Sequence, residues 1–93
     1  MSTTNEEQAN VQISNKYGLH ARPAAEFVKL ANRFASEIWV RKLDLEVNGK
    51  SIMGMMMLAA EFGSEITIRA SGPDAQTAVR ELTGLVERRF GEE

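Results

Sequence analysis

The sequence predicts an α+β fold: an open-faced β-sandwich in which a four-stranded antiparallel sheet carries three helices on one face, in the order β-α-β-β-α-β-α. Three observations predict it. Four short segments alternate apolar and polar residues, the period of a strand with one buried side. Three other segments place their apolar residues at helical spacing. The chain has 93 residues, 43% of them hydrophobic and 26% charged, which is enough for one core and no more.

Taken in order, residues 1–8 read as a polar N-terminal tail and residues 9–93 as the single domain. Val11 and Ile13 alternate with Gln12 and Ser14 in a first strand. Asn15-Lys16-Tyr17-Gly18 follows as a turn in which Gly18 supplies backbone freedom. Ala24, Phe27, Val28, Ala31 and Phe34 then form the apolar stripe of a helix from Ala21 to Phe34. Pro23 falls in its first turn, where a missing N–H costs nothing.

Ile38 and Val40 mark a second strand, with Trp39 expected on the open sheet face; Leu43, Leu45 and Val47 mark a third. Asn48-Gly49 is a turn signal, and Ser51 precedes a short Met-rich helix from Ile52 to Ala60 that Gly63 follows. Ile66, Ile68 and Ala70 alternate in the fourth strand. After Ser71-Gly72-Pro73-Asp74, one stripe runs through Ala75, Ala78, Val79, Leu82, Leu85, Val86 and Phe90.

Composition excludes several functions. A net charge of −2 is not that of a general nucleic-acid binder. Without cysteine there is neither a disulfide framework nor thiolate chemistry, in keeping with the cytoplasm. The longest apolar run, Ile52 to Ala60, is interrupted by Gly54 and is too short to insert in a membrane. The first residues lack the basic-then-apolar pattern of a signal peptide.

Chemistry converges on His20, the sole histidine, in Gly18-Leu19-His20-Ala21-Arg22-Pro23. A turn becomes a helix there, so the first N–H groups lack intrahelical partners and the helix dipole favours an anion. A phosphoryl group on His20 could be held by the N–H groups of Ala21, Arg22 or Ala24, with the Arg22 guanidinium as counter-charge. Small residues Ala21, Ala24 and Ala25 would leave the approach uncrowded. Near neutral pH an imidazole offers a neutral nucleophilic nitrogen. The competing reading is an ordinary surface histidine at a helix start. A metal site is weaker still, with one His, no Cys and no second ligand at helical spacing.

Gly18-Leu19-His20-Ala21-Arg22-Pro23-Ala24 resembles the active-site signature of the HPr family, the histidine-containing phosphocarriers of the bacterial phosphotransferase system. Asn48-Gly49-Lys50-Ser51-Ile52-Met53-Gly54 resembles that family's second signature, around its regulatory serine. The likeness spans about Ala9 to Phe90 and fits the predicted element order. It implies that Enzyme I phosphorylates the Nδ1 atom of His20, that Arg22 stabilises the group, and that a IIA domain of a sugar permease or regulatory homologue receives it. The chain would then be a stoichiometric carrier, not an enzyme, with no cofactor or metal, and a cytoplasmic monomer.

By the same resemblance Ser51 would be a target of HPr kinase/phosphorylase, and a catabolite-control transcription factor a further partner; chemically, Ser51 also stands as a plain helix N-cap. Within Ile52 to Leu58, Met55 and Leu58 are expected to face the core. The remaining apolar residues form either a partner surface or part of a deeply buried helix. The resemblance supports Ile52, Met53 and Met56 as docking residues; Met57 departs from the small or polar residue common there. Lys16, Arg22, Lys50 and Lys29 either make the face locally positive or are ordinary solvated cations. Two alternatives stay open. One is the nitrogen-regulatory branch of the family, suggested by Asn15 to His20 and Gly72-Pro73-Asp74; the other is a regulatory binding module that carries no phosphate.

Overall fold

Each alternating segment forms a strand, and each stripe forms a helix, in the computed structural model, which describes residues 5–92. The elements are β1 (Glu6–Gln12), α1 (Ala21–Ala31), β2 (Glu37–Lys42), β3 (Leu45–Asn48), α2 (Ile52–Leu58), β4 (Glu65–Ser71) and α3 (Ala75–Glu87), closed by a 3-10 turn, Arg89–Gly91. The sheet order is β1-β4-β2-β3, and every neighbouring pair is antiparallel. The predicted order β-α-β-β-α-β-α is the observed one.

Period-two alternation decides which sheet face is covered. Val11, Ile38, Val40, Val47, Ile66, Ile68 and Ala70 are buried, as are the inward residues Phe27, Met55, Leu58, Leu82 and Val86 of the helices. Burying each of these larger side chains stabilises the fold by about 1.5–3 kcal/mol. α3 packs on β1 and β4, α2 on β2 and β3, and α1 bridges α2 and α3.

The other sheet face is polar. Trp39 lies there half-buried, as expected, beneath the Arg69 guanidinium at 4.2 Å. Arg69 also pairs with Glu6 at 3.0 Å and Glu46 at 3.3 Å. One side chain of β4 thus reaches β1, β2 and β3, although partly exposed ion pairs of this kind contribute little each.

Four boundaries differ from the sequence reading. Glu6–Gln8, assigned to the tail, belong to β1, where Glu6 pairs with Ser71 and Gln8 with Arg69. An edge strand needs only backbone partners, so its polar side chains gave no strand signal. Residues 1–4 of the expected tail lie outside the described residues. Leu43 is not in the third strand; it turns the corner from β2 to β3 at φ 53° and is 85% exposed. α1 ends at Ala31, after which Arg33 and Phe34 donate to carbonyls only three residues back. α2 ends at Leu58 because Ala59 is left-handed, at φ 51°.

Candidate functional site

His20 is the residue before α1, with extended backbone at φ −76° and ψ −174° and no side-chain cap bond. Its imidazole is therefore free to face solvent, and 42% of the side chain is exposed. Gly18 makes the approach possible. At φ +67°, a Cβ there would lie 2.6 Å from the Ala60 carbonyl oxygen. Leu19 N–H donates to that same carbonyl at 2.7 Å, so the His20 loop is stitched to the chain just past α2.

The first turn of α1 supplies fewer free donors than expected. The Ala24 N–H donates to the His20 carbonyl at 3.0 Å as the first helical bond. The Ala24 side chain is fully buried, so it is a core residue rather than part of the open approach. Ala21 and Ala25 are exposed, as expected. The N–H groups of Ala21 and Arg22 lie ahead of the first helical bond, where helix geometry provides no intrahelical acceptor.

Glu92 completes the site and was invisible at the sequence level. Its carboxylate lies 3.1 Å from His20 Nε2 through Oε2 and 3.3 Å through Oε1. Arg22 Nη1 donates to Oε2 at 2.8 Å, and Asn15 Nδ2 donates to Oε1 at 3.1 Å. Partial burial opposes ionisation of Glu92. The bonds from Asn15 and His20, the charge on His20 and the bond from Arg22 outweigh it, holding the carboxyl below its ordinary range. A carboxylate thus sits where His20 and Arg22 together receive an anion.

Asn15 is more than a turn residue. It is fully buried, and its Nδ2 also donates to the Gly18 carbonyl at 2.7 Å. Both partners of Nδ2 are oxygen acceptors, which fixes the orientation of the amide. Tyr17 stands edge-on to the imidazole, ring centroids 6.3 Å apart, with Lys16 Nζ 5.3 Å from the Tyr17 ring centre.

The surroundings are open. The largest concavity, about 530 Å³, lies on the polar sheet face among Asn10, Arg41, Glu65 and Thr67, and contains no residue of this site. An exposed imidazole outside any enclosing pocket suits exchange with a protein surface better than enclosure of a small substrate.

Comparison with known proteins decides the family. The family model described as "PTS HPr component phosphorylation site" matches residues 7–88. The chain belongs to the HPr family. It is 51% identical to the phosphocarrier protein HPr of Neisseria meningitidis over 83 residues, 89% of this chain and 93% of that one. The crystal structure of an HPr from Thermoanaerobacter tengcongensis superimposes with a TM-score of 0.90 at 47% identity, covering 94% of this chain and 98% of that one. Crh of Bacillus subtilis, a catabolite-repression protein whose crystal structure is a domain-swapped dimer, aligns with a TM-score of 0.73 at 47% identity, covering 85% and 91%. HPr proteins are small phosphocarriers, and among the described residues of this one no helix is long and apolar enough to cross a membrane.

The second HPr-type signature forms the start of α2. The Ser51 hydroxyl accepts the Gly54 N–H at 3.0 Å, so it is an N-cap as its chemistry predicts. Met55 and Leu58 are the inward pair, at 0% and 1% exposure. Ile52, Met53, Met56 and Met57 are exposed at 40%, 71%, 46% and 65%, so α2 is not a deeply buried helix. Of the expected cations, Arg22 is engaged by Glu92, and Lys50 Nζ donates to the Phe34 carbonyl at 2.6 Å. Lys16 and Lys29 are exposed.

Two participants escaped the sequence reading. Asn15 was read only for its turn propensity. Glu92 lies 72 positions from His20, and no local pattern links them. The one available hint was Gly91 directly after the last apolar residue of the final stripe, a helix stop that lets the chain double back.

Proposed function

We propose that this HPr-family chain accepts a phosphoryl group on His20 Nδ1 from phosphorylated Enzyme I and donates it to a IIA domain. The observation that carries this reading is His20 exposed at the start of α1, with its Nε2 and the Arg22 guanidinium already gathered around one anionic group. Transfer forms the Nδ1–P bond with the ring's lone pair, while the bond from phosphorus to the donor breaks and its electrons leave with the donor. On Nδ1 the group would be held by Arg22, once released from Glu92, and by the N–H groups of Ala21 and Arg22. The Ala24 N–H is committed to the helix and is not needed in this arrangement.

Ile52, Met53 and Met56 are the docking residues in this reading. Exposed methionines on a short helix beside the His20 loop give an adaptable apolar surface for successive partners. Phosphorylation of Ser51 by HPr kinase/phosphorylase would add about 1.5–2 negative charges at the edge of that surface and weaken docking to acidic partners. The protein works as a cytoplasmic monomer with no cofactor.

A regulatory role is the second reading, favoured by the likeness to Crh and by the Ser51 signature. It would include docking to a catabolite-control transcription factor. One experiment separates the two. Incubation with phosphoenolpyruvate and Enzyme I should place an acid-labile phosphate on wild type and none on His20→Ala. Equal behaviour of the two proteins would remove the carrier reading. Parallel incubations with sugar-type and nitrogen-type Enzyme I identify the branch.

A further inference from the structure

Glu92 bears on which ring nitrogen of His20 reacts, and the inference rests on the carrier reading above. A carboxylate can only accept hydrogen bonds, so His20 Nε2, at 3.1 and 3.3 Å from its two oxygens, must carry the proton. In the neutral ring the other nitrogen, Nδ1, is then the one with the free lone pair. We propose that Glu92 is a positioning residue for phosphoryl transfer, holding His20 in the Nε2–H tautomer so that Nδ1 is the nucleophile.

Several independent features hold the carboxylate in place. Asn15, with no freedom of its own in the core, donates to Oε1 at 3.1 Å, and Arg22 donates to Oε2 at 2.8 Å. The Glu92 side chain is only 14% exposed, although it is the last described residue of the chain. The backbone is bent to bring it there. Arg89, Phe90 and Gly91 are all left-handed, at φ 59°, 55° and 77°, a run that non-glycine residues rarely adopt. Burial of Phe90 fixes this reversal against the core, and Glu92 N–H donates to the Arg89 carbonyl at 2.7 Å.

The chemistry closes without moving a proton in or out. When the Nδ1 lone pair forms the bond to phosphorus, the ring gains positive charge and keeps its Nε2 proton against the Glu92 carboxylate. When the next partner attacks phosphorus, the N–P electrons return to Nδ1 and the same neutral tautomer is restored. The carboxylate therefore stabilises the charged ring and leaves the ring a good leaving group in the onward step.

The test pairs a spectroscopic readout with a kinetic one on the full chain. Nitrogen-15 NMR of the imidazole, in mildly alkaline buffer, should show the Nε2–H form dominant in wild type and a mixed or reversed population in Glu92→Ala. Single-turnover transfer from phosphorylated Enzyme I should slow about 10-fold or more in Glu92→Ala, with half-saturation by the carrier little changed. Glu92→Gln, whose amide oxygen still accepts from Nε2–H, should recover the tautomer and part of the rate. An unchanged tautomer and rate in Glu92→Ala, with wild type phosphorylated normally, overturns the role of Glu92 alone. A wild type that takes no phosphate overturns the carrier reading, and this assignment with it.

Discussion

Ser36 and Asp74 bond to each other in both directions. The Ser36 hydroxyl donates to the Asp74 carboxylate at 2.6 Å and accepts the Asp74 N–H at 3.2 Å. The same carboxylate takes the N–H groups of Ala35 and Ser36, both at 2.9 Å. Asp74 precedes α3 yet makes no cap bond to it. It instead locks the α3 entrance to the start of β2, the two ends of the helical layer.

This lock should be acid-sensitive. The Ser36 hydroxyl, and next the Ala35 N–H, hold the Asp74 carboxyl below its ordinary value. A folded-state value below the unfolded one means the contribution is complete above the ordinary carboxylate range. It is lost as pH falls through the lowered value. Asp74→Asn should therefore melt below wild type at neutral pH, and the gap should narrow under strong acid. Thermal melts across the acid range check this, and Ser36→Ala should move the wild-type acid transition to higher pH.

The lock also constrains Gly72. Its φ is +148°, and a Cβ there would meet Ser36 Oγ at 2.6 Å and Ser36 Cα at 2.7 Å. Backbone cannot yield as a flexible side chain does. Gly72→Ala should cost about 1–3 kcal/mol from conformational strain, with displacement of the Ser36–Asp74 pair adding to it. Urea denaturation measures the loss, which should shrink in a Ser36→Gly background where one clashing atom is gone.

What was legible in the sequence follows from the range of the interactions. Val11, Ile66, Ile68 and Ala70 announced strands because a sheet with one covered face imposes period two on its own residues. Phe27, Leu82 and Val86 announced helices in the same way. His20 was legible because turn, histidine, arginine and proline lie within six positions. Glu6–Gln8 were not, since an open-face edge strand asks nothing of its side chains. Glu92 and Asn15 were not, because their roles arise only when α3 and its closing turn fold back across the start of α1. Ala24 misled for a related reason: its helical position was evident, but the face that the helix turns to the core decided its fate.

Ser51 can be separated into its two roles. Ser51→Ala removes the oxygen that accepts the Gly54 N–H and should cost about 1 kcal/mol of stability. Ser51→Asp keeps an acceptor at the helix start and adds one negative charge, so stability should be nearly retained. If the surface beside it docks acidic partners, the aspartate should still weaken binding to Enzyme I, and more so at low salt. Melting curves together with calorimetric titration distinguish the two effects, because the alanine variant should lose stability with little loss of affinity. Equal affinities for wild type and the aspartate variant at low salt would exclude electrostatic control at this position.

The methionines of α2 divide between fold and docking, and adjacent positions should give opposite phenotypes. Met55 is completely buried against the sheet, so Met55→Ala leaves a cavity and should cost about 2–5 kcal/mol. Met53, two positions away on the exposed side, is 71% accessible and contributes little to the core. Met53→Ala should therefore shift stability by no more than about 0.5 kcal/mol. If the exposed face of α2 is the partner surface, the same substitution removes apolar contact that forms only in the complex. Affinity for Enzyme I and for a IIA domain should then fall, while the intrinsic reactivity of His20 toward a small phosphoryl donor stays unchanged. Urea melts, calorimetry and phosphorylation by phosphoramidate measure the three quantities separately. A Met53→Ala protein that binds both partners as tightly as wild type would place the docking surface elsewhere.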